Sequence, residues 1–252
     1  MEASAIRRAS GELAQAWRNG ERITKLEEAS RPRTIAEGHA VQDALIALLG
    51  EEVAGWKVAG LEPGKVMRGA VLQSRSLASP ANLDAATVPL LGIEPEIAFL
   101  FIETLPPREK EYDLEDVRDA VVALPAIEIV DSRFRNYRET PVLHRLCDFM
   151  SNGALICGQA RSDWRHFDLS KLRARLTFDD EVIANQIGGH STVDPMLPAV
   201  SLANELRSGR GIRAGEIVTT GTFTGLNFAK PGQTIVAEFV GFGRVEVSIN
   251  AG

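Results

Sequence analysis

The hydrophobic period of this chain changes once, near residue 54, and that change restricts the folds open to it. Before it, Ile6, Ala9, Leu13, Ala16 and Trp17 recur at helical spacing. Thr34-x-x-Glu37 has the capping-box pattern, and it opens a second stripe of Ile35, Val41, Ala44, Leu45, Leu48 and Leu49 that Gly50 can stop. After it, the apolar residues fall into short β-prone runs punctuated by glycine: 55–60, 68–72, 86–90, 92–102 and 126–131. Further runs follow at 216–220, 233–240 and 244–249, and 172–178 pairs with 182–187 as a hairpin turning at Asp179-Asp180. Two helices are expected among the strands, 113–124 (stopped by Pro125) and 198–206, while 136–147 reads as a long loop. Pro95 marks its run as an edge or irregular strand, because proline cannot donate to a ladder. The pattern predicts an α+β fold, with a helical N-terminal segment over 1–53 and a β-rich catalytic unit over 54–252.

Several classes fall away on composition. The net charge is −6, with 28 basic against 34 acidic residues and no clustered Lys/Arg, so no nucleic-acid partner is expected. No run approaches the roughly 18 apolar residues of a membrane span. The first twenty residues mix charges with scattered apolar positions, unlike a secretory leader, and a cytoplasmic protein is expected. Cys147 and Cys157 are too few for a disulfide framework or a structural zinc, and read as free thiols. His39, His144, His166 and His190 have no zinc spacing. The G-x-S-x-G, H-E-x-x-H and G-x-G-x-x-G patterns are missing.

What remains is an arrangement of acids. Glu94 and Glu96 alternate in one β-run and so project from one face. Glu128 lies on another run, between apolar Ile127 and Ile129 that point the opposite way. Like charges side by side repel, and an acid within an apolar strand is costly unless paired or bound to a cation. A hard divalent ion answers both problems and keeps positions open for water and substrate. Salt bridges or a solvated face are the alternative use of such residues. Lys57, between Trp56 and Val58, reads alone as a surface lysine. Asp131-Ser132-Arg133 offers a carboxylate, a hydroxyl and a fork that can grip a carboxylate. The 219–225 stretch supplies amides and hydroxyls after a β-run, but lacks the lysine of a P-loop.

Gly55-Trp56-Lys57-Val58, Glu94-x-Glu96-Ile97-Ala98-Phe99, the 125–133 run, Ser151-Asn152-Gly153 and Gly221-Thr222-x-Thr224-Gly225 occur in that order. Together they resemble the hydratase/decarboxylase branch of the fumarylacetoacetate hydrolase superfamily. The resemblance implies a mixed β-roll preceded by helices, and a metal triad of Glu94, Glu96 and Glu128 holding Mg²⁺ or Mn²⁺. It implies Lys57 and Asp131 as catalytic residues, with Arg133, Ser151 and Thr222 binding substrate. Arg133 would grip the substrate carboxylate or support Asp131, and Lys57, partly desolvated near a cation, would titrate nearer neutrality. The implied activity is water addition to a 2-hydroxydienoate of the 2-oxopent-4-enoate type, through enolate charge stabilised on the metal. The alternatives are decarboxylation of a 4-oxalocrotonate-type acid, acylpyruvate C–C hydrolysis, or a non-catalytic partner subunit. A homo-oligomer is implied, with a decarboxylase as a possible partner. Two departures flank the implied pocket: Ala59-Gly60-Leu61-Glu62 after the lysine, and Arg68 before the next glycine. Glu37 and His39, two positions apart, do not share a helix face and make no catalytic dyad.

Overall fold

Thr34 opens a helix as its pattern predicts: its side chain accepts from the Glu37 N–H, and Gly50 closes the same helix in the left-handed region at φ +69°. The computed structural model describes residues 1–192 and 194–251. In chain order these form α1 (Ala3–Asn19), α2 (Ile35–Leu49), β1 (Val53–Ala59), β2 (Met67–Leu72), β3 (Ser76–Ala78), β4 (Ala81–Asp84) and β5 (Gly92–Phe101). There follow α3 (Leu114–Asp119), β6 (Val121–Val130), α4 (Val142–Cys147), β7 (Asn152–Cys157), β8 (Arg173–Phe178) and β9 (Glu181–Ile187). The chain finishes with α5 (Leu197–Leu206), β10 (Ile217–Thr222), β11 (Asn227–Phe228), β12 (Thr234–Phe239) and β13 (Gly243–Asn250). Two mixed sheets carry the strands. The larger runs β2-β1-β10-β5-β6-β7-β3 with β11 also paired to β5, and the smaller runs β4-β13-β12-β8-β9. This is the α+β class expected, helices first and curled mixed sheets after.

Alternation decides what each face of β5 and β6 meets. Ile93, Ile127 and Ile129 pack against Ile235, Ala237, Val245 and Val247 of the smaller sheet. Ile97, Phe99 and Phe101 join the main core, which also takes Leu13 of α1, Leu45 of α2 and Leu202 of α5. Glu94, Glu96 and Glu128 are left on the opposite face. The helical segment also meets the roll through Trp17, whose ring lies 3.9 Å beneath the Arg133 guanidinium.

One local expectation is narrowed and three are corrected. Of the two readings offered for Pro95 the edge fails, since β5 lies between β10 and β6, and the irregular strand is the one found. The Pro95 carbonyl accepts from Phe223 N on the β10 side, so its missing N–H falls on the same side, where the register shifts between Thr219 and Thr222. Pro125 does not stop a helix. Here α3 ends at Asp119, and Pro125 sits inside β6, its bare nitrogen on the side where Gly158 donates to its carbonyl, beyond the end of β7. The 136–147 stretch is partly helical, since α4 occupies Val142–Cys147, too short for a period to be visible in sequence. The run at 86–90 is no strand, because Asp84 accepts from Ala86 N and caps a short 3₁₀ turn, and β4 precedes it. Both cysteines are free, and burial pushes Cys147 up to about 12 and Cys157 to about 11, which leaves them inert thiols.

Candidate metal centre

Glu94 and Glu128 are direct cross-strand partners, and Glu96 lies one pleat further along β5. Three carboxylate oxygens, one from each, stand within 4.8 Å of one another. Glu96 and Glu128 are buried, and Glu94 keeps partial exposure on the cavity side. Each acid is aimed by a neighbour. Gly221 N–H donates to Glu96 Oε2 at 2.9 Å from a backbone at φ +123°, which only glycine adopts without strain. Asn152 Nδ2 donates to Glu128 Oε1 at 3.0 Å.

Lys57 reaches this group from β1, where it pairs with Thr219 of β10 and Gly69 of β2. Its Nζ lies 3.4 Å from Glu94 Oε2 and 3.0 Å from Glu128 Oε2. The second contact is the closer one, and among the described residues Glu128 Oε2 has no partner besides this ammonium. Three acids thus face one ammonium. Burial, then the charges of Glu128 and Glu94, raise the Glu96 pKa well above the carboxylate range, and burial raises Glu128 against the pull of Lys57. For Lys57, burial alone would lower the pKa, but Glu128, Glu94 and Glu96 outweigh it and hold the ammonium above its ordinary value. Facing the three acids alone, the ammonium meets a surplus of negative charge that overrules desolvation, whereas titration nearer neutrality is the expectation for a lysine beside a bound cation.

A cavity of about 350 Å³ opens onto Glu94 and Glu96, with Lys57, Thr220, Gly221 and Thr222 also in its wall, while Glu128 is fully buried and not in the wall. Ala59, Gly60 and Leu61, the first departure noted in the sequence, line its rim. Arg68, the second, does not: it forks onto Asp43 at 2.9 Å and stacks 4.8 Å over Trp56. Thr222 is at the wall. Asp131, Arg133 and Ser151 are not among the lining residues. Asp131 accepts from Arg22 Nη2 at 2.8 and 3.0 Å and from Leu90 N–H at 3.1 Å. Arg133 donates to Asp148 through its backbone N–H and its Nε, and to the Asn152 carbonyl. Their hydrogen-bonding partners thus lie inside the protein, and of the two roles offered for Arg133, contact with Asp131 is the one seen. Ser151 is buried with its hydroxyl unpartnered, and closes the left-handed run Phe149, Met150, Ser151 at φ 50°, 53° and 62°. Such residues cost about 1–2 kcal/mol each. Gly69 lets the run approach, since a Cβ there would lie 2.3 Å from the Phe149 carbonyl. The run delivers Asn152 to Glu128, and Asn152 is the contact sequence reasoning missed although Ser151-Asn152-Gly153 was in view. His39 serves structure: its Nε2 accepts from Arg68 N–H, and burial pushes it down to about 4.

A profile of the fumarylacetoacetate hydrolase C-terminal family matches residues 77–250. The chain belongs to this family. As a fumarylacetoacetate hydrolase family enzyme it is similar along nearly its whole length to a 2-keto-4-pentenoate hydratase of Paraburkholderia phymatum, 27% identical over 250 residues, covering 94% of this chain and 95% of the other. A 2-keto-4-pentenoate hydratase of Dechloromonas aromatica is 30% identical over 155 residues, 61% of this chain and 58% of its own. Among solved structures, 4-oxalocrotonate decarboxylase from Pseudomonas putida G7, complexed with magnesium and adipate, superposes with a TM-score of 0.84 at 22% identity, covering 99% of this chain and 98% of the other. That likeness concerns the fold. No helix among the described residues is long and apolar enough to cross a membrane.

Proposed function

We propose that this family member is a divalent-metal-dependent hydratase acting on a short 2-hydroxydienoic acid of the 2-oxopent-4-enoate type. The observation that carries the reading is the charge imbalance: three converging acids, two of them buried, against one lysine, which is the sole described partner of Glu128 Oε2. An all-oxygen donor set suits Mg²⁺ or Mn²⁺ and not zinc. Such an ion would be held by Glu94, Glu96 and Glu128, and would supply Lewis acidity toward the carboxylate and 2-oxygen of a 2-oxo acid.

The remaining chemistry belongs to the protein. Lys57, protonated and fixed at the cavity wall, stabilises negative charge at the 2-oxygen and holds a proton at Nζ. Thr222 and the amide-rich 220–222 turn orient the acid. Proton delivery to the terminal carbon gives the conjugated 2-oxo-enoate. Water then adds with its oxygen at C4 and a proton at C3. The names carried by the curated relatives support this reaction.

The deciding experiment supplies Mg²⁺ with either 2-hydroxypenta-2,4-dienoate or 4-oxalocrotonate, and follows water uptake and CO₂ release. Hydration of the first without CO₂ from the second is the expected result; dominant CO₂ release makes the protein a decarboxylase, and Mg²⁺ binding without any turnover makes it a partner subunit. Lys57→Met should lower turnover by about 10²–10⁴-fold with Mg²⁺ binding retained.

A further inference from the structure

The stretch 188–192 after β9, which packs against residues 220–223 and contributes to the cavity lining, is one to which the sequence assigned no role. It is fastened in place. Gly188 N–H donates to the Leu172 carbonyl, and the Gln186 side chain donates to the Phe223 carbonyl. Gly189 adopts φ +104°, and a Cβ there would lie 2.3 Å from the same Phe223 carbonyl. His190 Nδ1 accepts from Thr192 N–H at 3.1 Å, which places its proton on Nε2, where it donates to the Thr220 carbonyl at 2.9 Å. Thr192 Oγ1 is 2.8 Å from both His190 Nδ1 and the Asp194 carbonyl.

These bonds tie down His190 and Thr192 and leave the residue between them, Ser191, exposed on the cavity wall. Its Oγ stands 3.6 Å from the point a Cβ on Gly221 would occupy, beside the glycine whose N–H aims Glu96. The surrounding wall is apolar: Val58, Ala59, Leu61 and Pro198. Among the described lining residues Lys57 is the single cation, and it is committed to the carboxylates. Glu62, next to Leu61, pairs with Lys65 at 2.5 Å and presents no free charge.

We propose that Ser191 is a specificity-determining residue, holding the oxygen that arrives at C4 as water and remains there as the product hydroxyl, and that the wall around it admits a far end that is uncharged. The assignment rests on the carboxylate-site reading above and adds its distal half. A hydroxyl on a fastened loop can bond a hydroxyl or a water, whereas a second carboxylate placed there would find no cation among the described lining residues to pair with.

Calorimetric binding to the Mg²⁺-loaded full-length protein tests this without turnover, with 2-oxopentanoate, 4-hydroxy-2-oxopentanoate and 2-oxoadipate as probes. The wild type should bind the 4-hydroxy acid roughly tenfold more tightly than 2-oxopentanoate, and Ser191→Ala should bring the two affinities together. 2-Oxoadipate should bind at least roughly tenfold more weakly than 2-oxopentanoate, and Ser191→Arg should recover it. Leu61→Arg, on the exposed rim, is the second variant if Ser191→Arg does not fold. Equal affinities for all three acids in the wild type, or an Ser191→Ala variant that keeps the preference for the 4-hydroxy acid, overturns the assignment and leaves the carboxylate site standing. No Mg²⁺-dependent binding of any of the three overturns both.

Discussion

Two buried ionic clusters lie three residues apart along the chain, one at Glu128 within β6 and one at Asp131 just past its end, and they are built on opposite rules. Around Asp131, two carboxylates (Asp131 and Asp148) meet two guanidiniums (Arg22 and Arg133), and backbone amides take up further lone pairs. Around Glu128, three carboxylates meet one ammonium, and one oxygen of the most buried acid has that ammonium as its sole described partner. The first cluster is balanced and closed off; the second is short of positive charge and opens on a cavity. Burying ions is costly in either case. A balanced cluster repays the cost within the fold, whereas an unbalanced one persists because something else completes it. Charge balance therefore separates scaffold from site more sharply than residue type does, since both clusters are made of the same few side chains.

The largest effect should come from breaking each cluster in turn. Arg133→Met removes the partner of a fully buried Asp148 and should cost about 3–5 kcal/mol in chemical denaturation. Glu96→Gln removes one of three mutually repelling acids. It should leave the metal-free protein as stable or more so, and weaken Mg²⁺ binding by at least roughly 100-fold. If Glu96→Gln unfolds the protein as readily as Arg133→Met does, the two clusters are alike, and the three acids are ordinary structural ion pairs.

A finer separation is available at Asn152, which touches both clusters: its side chain donates to Glu128 while its backbone carbonyl accepts from Arg133. Asn152→Ala removes only the first contact. Mg²⁺ affinity should fall by about 10–100-fold with the denaturation midpoint of the metal-free protein little changed. A loss confined to stability would place Asn152 with the scaffold.

Most of the architecture could be read from the sequence because alternation and capping are local. The period of two in 92–101 puts Glu94 and Glu96 on one face of β5, while Glu128 joins them through the β5–β6 register, which local pattern does not carry; the hairpin turning at Asp179 is where its pattern placed it. Pro125 misled, and Pro95 left two readings open, because their cost depends on which side the missing N–H faces, a fact of sheet order that composition does not carry. The partners of Asp131 and Arg133 were hidden for a related reason: closeness in sequence to Glu128 says nothing about partners as distant as Arg22 and Asp148. Asn152 had a usable signal, a side-chain amide heading an apolar run beside a buried acid. Ser191 had none. Its place at the cavity wall is set by a loop whose anchors, Thr220 and Phe223, lie about thirty residues further along.

The smallest expected effect follows from how the unbalanced cluster takes up protons. In the unfolded chain Glu96 and Glu128 titrate near 4.5; folding raises both, Glu96 through burial and its acidic neighbours, Glu128 through burial. A carboxyl with a raised pKa binds its proton more tightly when folded. Its contribution to stability is thus complete below about pH 4.5 and is lost as pH climbs through the raised values. A divalent ion needs the ionised acids, so it replaces the protons over that same window. Thermal scans from about pH 4.5 to about pH 8 should show the Tm in EDTA falling and the gap between Mg²⁺ and EDTA widening, each kcal/mol appearing as roughly 2–4 °C. Glu96→Gln, with one titrating group fewer, should flatten the EDTA curve, whereas Arg133→Met, in the balanced cluster, should lower it without changing its slope. A Mg²⁺ gap that stays constant across the range would mean that the acids are already ionised and satisfied in the metal-free fold, and the contrast between the clusters would then lie in their exposure to the cavity and not in their charge.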